Sequence, residues 1–143
     1  MSGITKGKQR DGQAPIVKEP PSPAQARGRR AEERAAIWLG ARGLKLLARN
    51  VRCRGGEIDL ICLERGTLLF IEVRLRTNLC HGNAAESITA AKQRRIILAA
   101  RWWLAGAGSA YQGRSCRFDA ILFDGDDAET VAPRWIRGAF EAG

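Results

Sequence analysis

The chain is poor in the residues that build most metal and redox centres. It has one histidine, His81, one methionine and four cysteines, Cys53, Cys62, Cys80 and Cys116, in 143 residues. No two cysteines stand in a Cys-x-x-Cys pair, so a zinc knuckle, a thioredoxin-type motif or a disulfide framework is not expected. Cys62, inside an apolar stretch, reads as a small buried hydrophobe. No apolar run nears the roughly 18 residues that cross a membrane, and the polar N-terminus lacks a signal-peptide core. The expected location is the cytoplasm. No internal repeat is visible.

What is abundant is positive charge. Lys and Arg number 24 against 15 Asp and Glu, a formal net charge of +9. The excess is uneven: residues 28–118 carry 17 basic against 7 acidic side chains, whereas residues 119–143 are net acidic. A basic body suits phosphate-bearing partners, although charge alone does not separate this from a merely cationic surface.

Residues 1–24, with Pro15, Pro20, Pro21 and Pro23, read as a loosely attached basic tail. Residues 25–143 have the length and hydrophobic content of one domain. A helix is expected from Pro23 or Ala24 to Ala41, ended by Gly43. Its apolar stripe of Ala35, Ala36 and Leu39 also carries Glu32. Leu44–Arg52 reads as a strand, followed by a basic, glycine-rich turn around Arg54. Residues 56–76 read as two strands joined at Glu64–Thr67, with Gly66 free to take a positive φ. Thr77–Glu86 reads as a mobile loop. A second helix spans Ala90–Ala105, capped by Ser87 or Thr89, with Ile88, Ala91, Leu98, Trp102 and Ala105 as its inner stripe. Gly106–Arg114 reads as a flexible connector, Cys116–Phe123 as a fourth strand and Val131–Ile136 as a short last one. Asp124, Asp126 and Asp127 lack an EF-hand loop and read as a polar turn. The fold class is α/β (α+β), a mixed sheet of four to five strands flanked by helices.

The acids inside the hairpin are informative. Glu72 interrupts an apolar run, where an unpaired carboxylate costs several kcal/mol. Glu57 and Asp59 share one face of the preceding strand, and Arg74 shares a face with Glu72. If the strands are neighbours, Asp59 and Glu72 converge. Two hard oxygen donors on rigid strands suit Mg²⁺, and a structural pair of Asp59 with an arginine, or of Glu72 with Arg74, fits the spacing equally. Lys92, Arg94 and Arg95 make the start of the second helix a phosphate contact or a solvated cationic face.

These residues carry a resemblance. Gly28-Arg-Arg-Ala-Glu32-Glu-Arg-Ala35-Ala36, Arg49-Asn50, Gly55-Gly56-Glu57-Ile58-Asp59-Leu60-Ile61, Phe70-Ile71-Glu72-Val73-Arg74, Lys92-Gln93-Arg94-Arg95 and Arg117-Phe118-Asp119 resemble the YraN-like family of small bacterial proteins. The match covers about residues 27–140. The resemblance implies a restriction-endonuclease-like (PD-(D/E)XK) core, similar to that of archaeal Holliday-junction resolvases, and a metal-dependent nuclease acting on DNA, with RNA as the lesser alternative. The setting it implies is DNA repair or recombination. On this reading Asp59, Glu72 and the Val73 carbonyl hold Mg²⁺ or Mn²⁺, Glu32 supports them and Glu57 is auxiliary. Lys92, Gln93, Arg95, Arg76 and Arg54 contact nucleic acid. Arg74 stands where the family usually has lysine. Arginine stays charged and cannot act as a base, though it can stabilise negative charge. A binding module without catalysis is therefore the rival reading, and an adaptor working through exposed tryptophans a third.

Overall fold

The computed structural model describes residues 19–76, 88–125, 128 and 131–142. The Thr77–Glu86 loop, Ser87, Asp126, Asp127 and the tail through residue 18 lie outside the described residues. The first element is α1 (Pro23–Ala41). Ser22 and Gln25 close a capping box at its start: the Gln25 amide donates to Ser22 Oγ at 3.1 Å and the Ser22 amide to Gln25 Oε1 at 2.9 Å. Pro23 has no amide hydrogen to leave unsatisfied there. Gly43, at φ 91°, turns the chain out of the helix.

Three antiparallel strands follow: β1 (Lys45–Cys53), β2 (Gly56–Glu64) and β3 (Thr67–Arg76). Arg65 and Gly66 both have positive φ, 50° and 88°, as a two-residue hairpin turn of matching twist requires. Then α2 (Ala90–Ala105), capped by the Thr89 hydroxyl on the Lys92 amide, crosses a sheet face. The crossover lays β4 (Cys116–Asp124) parallel to β3, and β5 (Pro133–Phe140) adds an antiparallel edge. The sheet order is β1-β2-β3-β4-β5. This is the expected α+β arrangement of a mixed sheet flanked by helices. No helix among the described residues is long and apolar enough to cross a membrane.

The helices cover opposite faces. Ala31, Ala35, Ala36 and Leu39 of α1 pack on Leu60, Leu69, Ile71 and Ile121, while Ile96, Ala99, Ala100 and Trp103 of α2 pack on Ile61, Phe70, Phe118 and Leu122. β3 is buried on both sides from Leu68 to Val73, as its near-continuous apolar run implies.

Three expectations need correction. The inner stripe of α2 is rotated from the expected one: Ala91 is exposed, and Leu98 and Trp102 are 45% and 54% exposed. The alanines are buried instead because the helix backbone lies directly on Gly56. A Cβ there would stand 2.5 Å from the Arg95 carbonyl oxygen. The last strand runs past Ile136 to Phe140, whose ring stacks on Phe118 at 4.8 Å. It continues because Gly138, at φ 64°, forms a bulge and donates its amide to Asp119. Finally, Gly106–Arg114 contains a 3₁₀ turn at Ser109–Tyr111, with Tyr111 stacked on Trp103.

Candidate metal and nucleic-acid site

The site forms where β2 and β3 part. Their ladder runs from Glu64↔Thr67 to Leu60↔Ile71 and stops. Beyond it the Asp59 carboxylate takes over the ladder's role, accepting the Val73 amide at 2.8 Å. The regular alternation of β2 also breaks here: Ile58 belongs to the α2 core, Leu60 and Cys62 to the α1 core.

Glu72 reaches the same gap from β3. It is only 4% exposed, and its Oε1 is buried with no hydrogen-bond partner among the described residues. The Asp59 and Glu72 carboxyls lie near enough for each to act on the other's titration. Burial and then the Asp59 charge push the Glu72 carboxyl up to about 8. Burial also raises Asp59, offset by the bond from the Val73 amide. That amide stabilises the Asp59 anion and opposes the rise that burial causes.

Cations ring the pair without neutralising it fully. Lys92, from the first turn of α2, places Nζ 3.6 Å from both Glu72 Oε2 and Glu57 Oε2. Arg74 lies 3.8 Å from Glu72 Oε2. Arg95 bonds Glu57 at 2.9 Å and holds that carboxyl below its usual range. Glu32 approaches from α1; burial and the Asp59 charge raise its carboxyl. Beside it runs a groove of about 630 Å³ lined by Gln25, Arg29, Glu32, Arg49, Asn50 and Arg52.

The structure thus brings Asp59, Glu72, Arg74, Lys92, Glu57 and Arg95 together, with Glu32 at the margin. Of the residues expected to contact nucleic acid, two are engaged within the fold and a third is exposed. Arg76 is bound to Asp124 at 2.9 Å. Gln93 donates to the Ile88 carbonyl at 3.0 Å, bracing the helix start. Arg54 is exposed in the β1–β2 turn, facing solvent. The charges of Arg52, in the basic turn that the sequence marks, and of Arg29 act on Glu32 and oppose the rise of its carboxyl.

Among the described residues, no three histidine, cysteine or acidic side chains form a closed metal cage. The donor set is two converging carboxylates, one with an orphaned buried oxygen. An open, oxygen-only pair of that kind fits Mg²⁺ or Mn²⁺, which keep several waters and take further ligands from substrate.

Fold and site define an α+β protein with a paired-carboxylate centre at a sheet opening, set in a basic surround. Residues 31–123 match the Uncharacterised protein family UPF0102. A UPF0102 protein of Aeromonas hydrophila is 47% identical over 117 residues, 82% of this chain and 86% of the relative. One from Klebsiella pneumoniae is 38% identical over 140 residues, 98% of each chain. The UPF0102 protein YraN of Escherichia coli is 44% identical over 109 residues, 76% of this chain and 79% of the relative. The chain belongs to the UPF0102 family, in keeping with the YraN-like resemblance.

Proposed function

We propose that this protein is a metal-dependent nuclease that hydrolyses phosphodiester bonds in DNA, in the cytoplasm, in a repair or recombination setting. The observation that carries the reading is the Asp59–Glu72 pair, two carboxyls held together with an unpartnered buried oxygen where the β2–β3 ladder opens. Asp59 and Glu72, with the Val73 carbonyl, would hold Mg²⁺ or Mn²⁺. Such an ion, when bound, lowers the pKa of a water ligand and polarises a phosphate oxygen. The chain's own residues do the rest. The Val73 amide fixes the Asp59 carboxylate, and Lys92 orients Glu72 while offsetting its charge. Arg74, more than a third exposed, offers its free guanidinium edge to the negative charge that builds on phosphorus. Arg29 and Arg52 line a groove through which a phosphate backbone can reach the pair.

Arg74 supports a second reading, a nucleic-acid-binding protein with weak or lapsed catalysis, since no guanidinium deprotonates water at neutral pH. Single-stranded, duplex, flap and four-way DNA, each incubated with Mg²⁺ or Mn²⁺, distinguish the two. Cleavage by the wild type that Asp59→Asn removes supports the nuclease. Binding without cleavage by any variant supports the binder.

A further inference from the structure

The far end of α1 carries a second basic pocket, of about 560 Å³, walled by Arg42, Arg65 and Arg137 together with Glu64 and Thr67. Its cations are built in rather than merely present. The Arg42 guanidinium lies 3.6 Å over the Trp38 ring, and that of Arg137 lies 3.7 Å over Trp135. The two tryptophans meet edge to face at 6.0 Å, so both cations ride on one aromatic support between α1 and β5. A stacked guanidinium uses its face and leaves its edge for N–H donation; Glu64 takes the edge of Arg137 at 2.9 and 3.3 Å, so the stacked edge left to grip a phosphate is that of Arg42. Glu64 offsets Arg137 and Arg117. Arg42 and Arg65 form no ion pair among the described residues.

The placement relates this pocket to the paired carboxylates. Arg42 lies ten residues beyond Glu32 along α1, roughly 15 Å at the helical rise. Glu64 lies five residues beyond Asp59 along β2, roughly 17 Å at the strand rise. Duplex DNA covers that span in roughly four to five base pairs.

We propose that Arg42 and Arg65, in the pocket that the Arg137–Glu64 pair closes, form a second phosphate-binding site, which takes the backbone of duplex DNA about half a helical turn from the Asp59–Glu72 pair. The inference rests on the nucleic-acid reading above and adds to it a footprint extending along α1. The stacked Arg42 loses little freedom when it binds, so the contact contributes affinity at a distance from the chemistry.

The test is the salt dependence of binding of a 20-base-pair DNA duplex to the full chain, by fluorescence anisotropy. Arg42→Gln combined with Arg65→Asn is compared with wild type; asparagine tolerates the positive φ at position 65. Two lost phosphate contacts should make the slope of log K against log salt shallower by about 2, with weaker binding at every salt concentration. Arg65→Asn alone leaves both tryptophan stacks in place and should change the slope by about 1, which keeps the test sound if the double variant folds poorly. An unchanged slope accompanied by a lower melting temperature means that the stacks only fasten α1 to β5, and overturns the second site. If Asp59→Asn still abolishes cleavage in that case, the proposed function stands without it. A wild type that binds no duplex even at low salt overturns both.

Discussion

The chemistry proposed for this chain rests on Asp59 and Glu72, two carboxyls that burial raises. Their titration has a definite sign. The Glu72 carboxyl is raised from an ordinary 4.5 to about 8 in the folded chain. Between those values the folded state holds a proton that the unfolded state has released, so stability falls as pH rises through that window and levels off above it. In the presence of chelator, the melting temperature should therefore decline from about pH 5 to pH 8. Glu72→Gln, neutral throughout, should flatten the decline and melt a few degrees higher than wild type at pH 8. A wild-type profile already flat in chelator would mean that the carboxyls do not interact. At the neighbouring position, Arg74→Lys should preserve or raise cleavage and Arg74→Ala should lower it. Lysine keeps the cation beside Glu72 and adds a group whose pKa can fall on desolvation. The readout is a time course with Mn²⁺, and Arg74→Lys that cuts more slowly than Arg74→Ala would contradict the assignment.

At the level of the elements, the hairpin, α1 and β4 were legible because periodicity and turn residues agreed. The Asp59–Glu72 pairing was legible as a possibility, since neighbouring strands bring such residues together. Spacing could not separate an acid pair from an ion pair with Arg74, and the structure contains both. The phase of α2 was not legible. Leu98 and Trp102 are its bulky apolar residues and draw a hydrophobic stripe through themselves, yet contact with the sheet is made by Ala99 and Ala100. The deciding residue is Gly56, remote in sequence, whose missing side chain lets α2 descend onto β2. Asp119 was legible only in part: fully buried, it binds Arg117, its neighbour in a motif the sequence marks, and also the Trp135 indole and the Gly138 amide, remote donors that nothing local announces. Gly56→Ala tests the close approach. Its Cβ meets backbone at 2.5 and 2.9 Å, which cannot rotate away, so α2 must lift at a cost of about 1–3 kcal/mol. Urea unfolding should show that loss, and a loss under about 0.5 kcal/mol would mean that the helix rides higher than described.

Across the whole molecule, a net charge of +9 coexists with a site where Asp59 and Glu72 converge, Glu57 lies paired with Lys92 and Arg95, and Glu32 stands at the margin. Negative charge gathered at one sheet opening inside a positive field attracts small cations locally and polyanions globally. The central claim is the local half of that statement, that the Asp59–Glu72 pair holds a divalent cation. It is tested most directly by titrating Mn²⁺ into the metal-free protein and following free Mn²⁺ by electron paramagnetic resonance, without nucleic acid. The wild type should take up one ion per chain, more tightly at pH 8 than at pH 6 because binding displaces the Glu72 proton. Asp59→Asn and Glu72→Gln, folded by circular dichroism, should each lose that ion. Uptake that is the same in wild type and both variants would contradict the account.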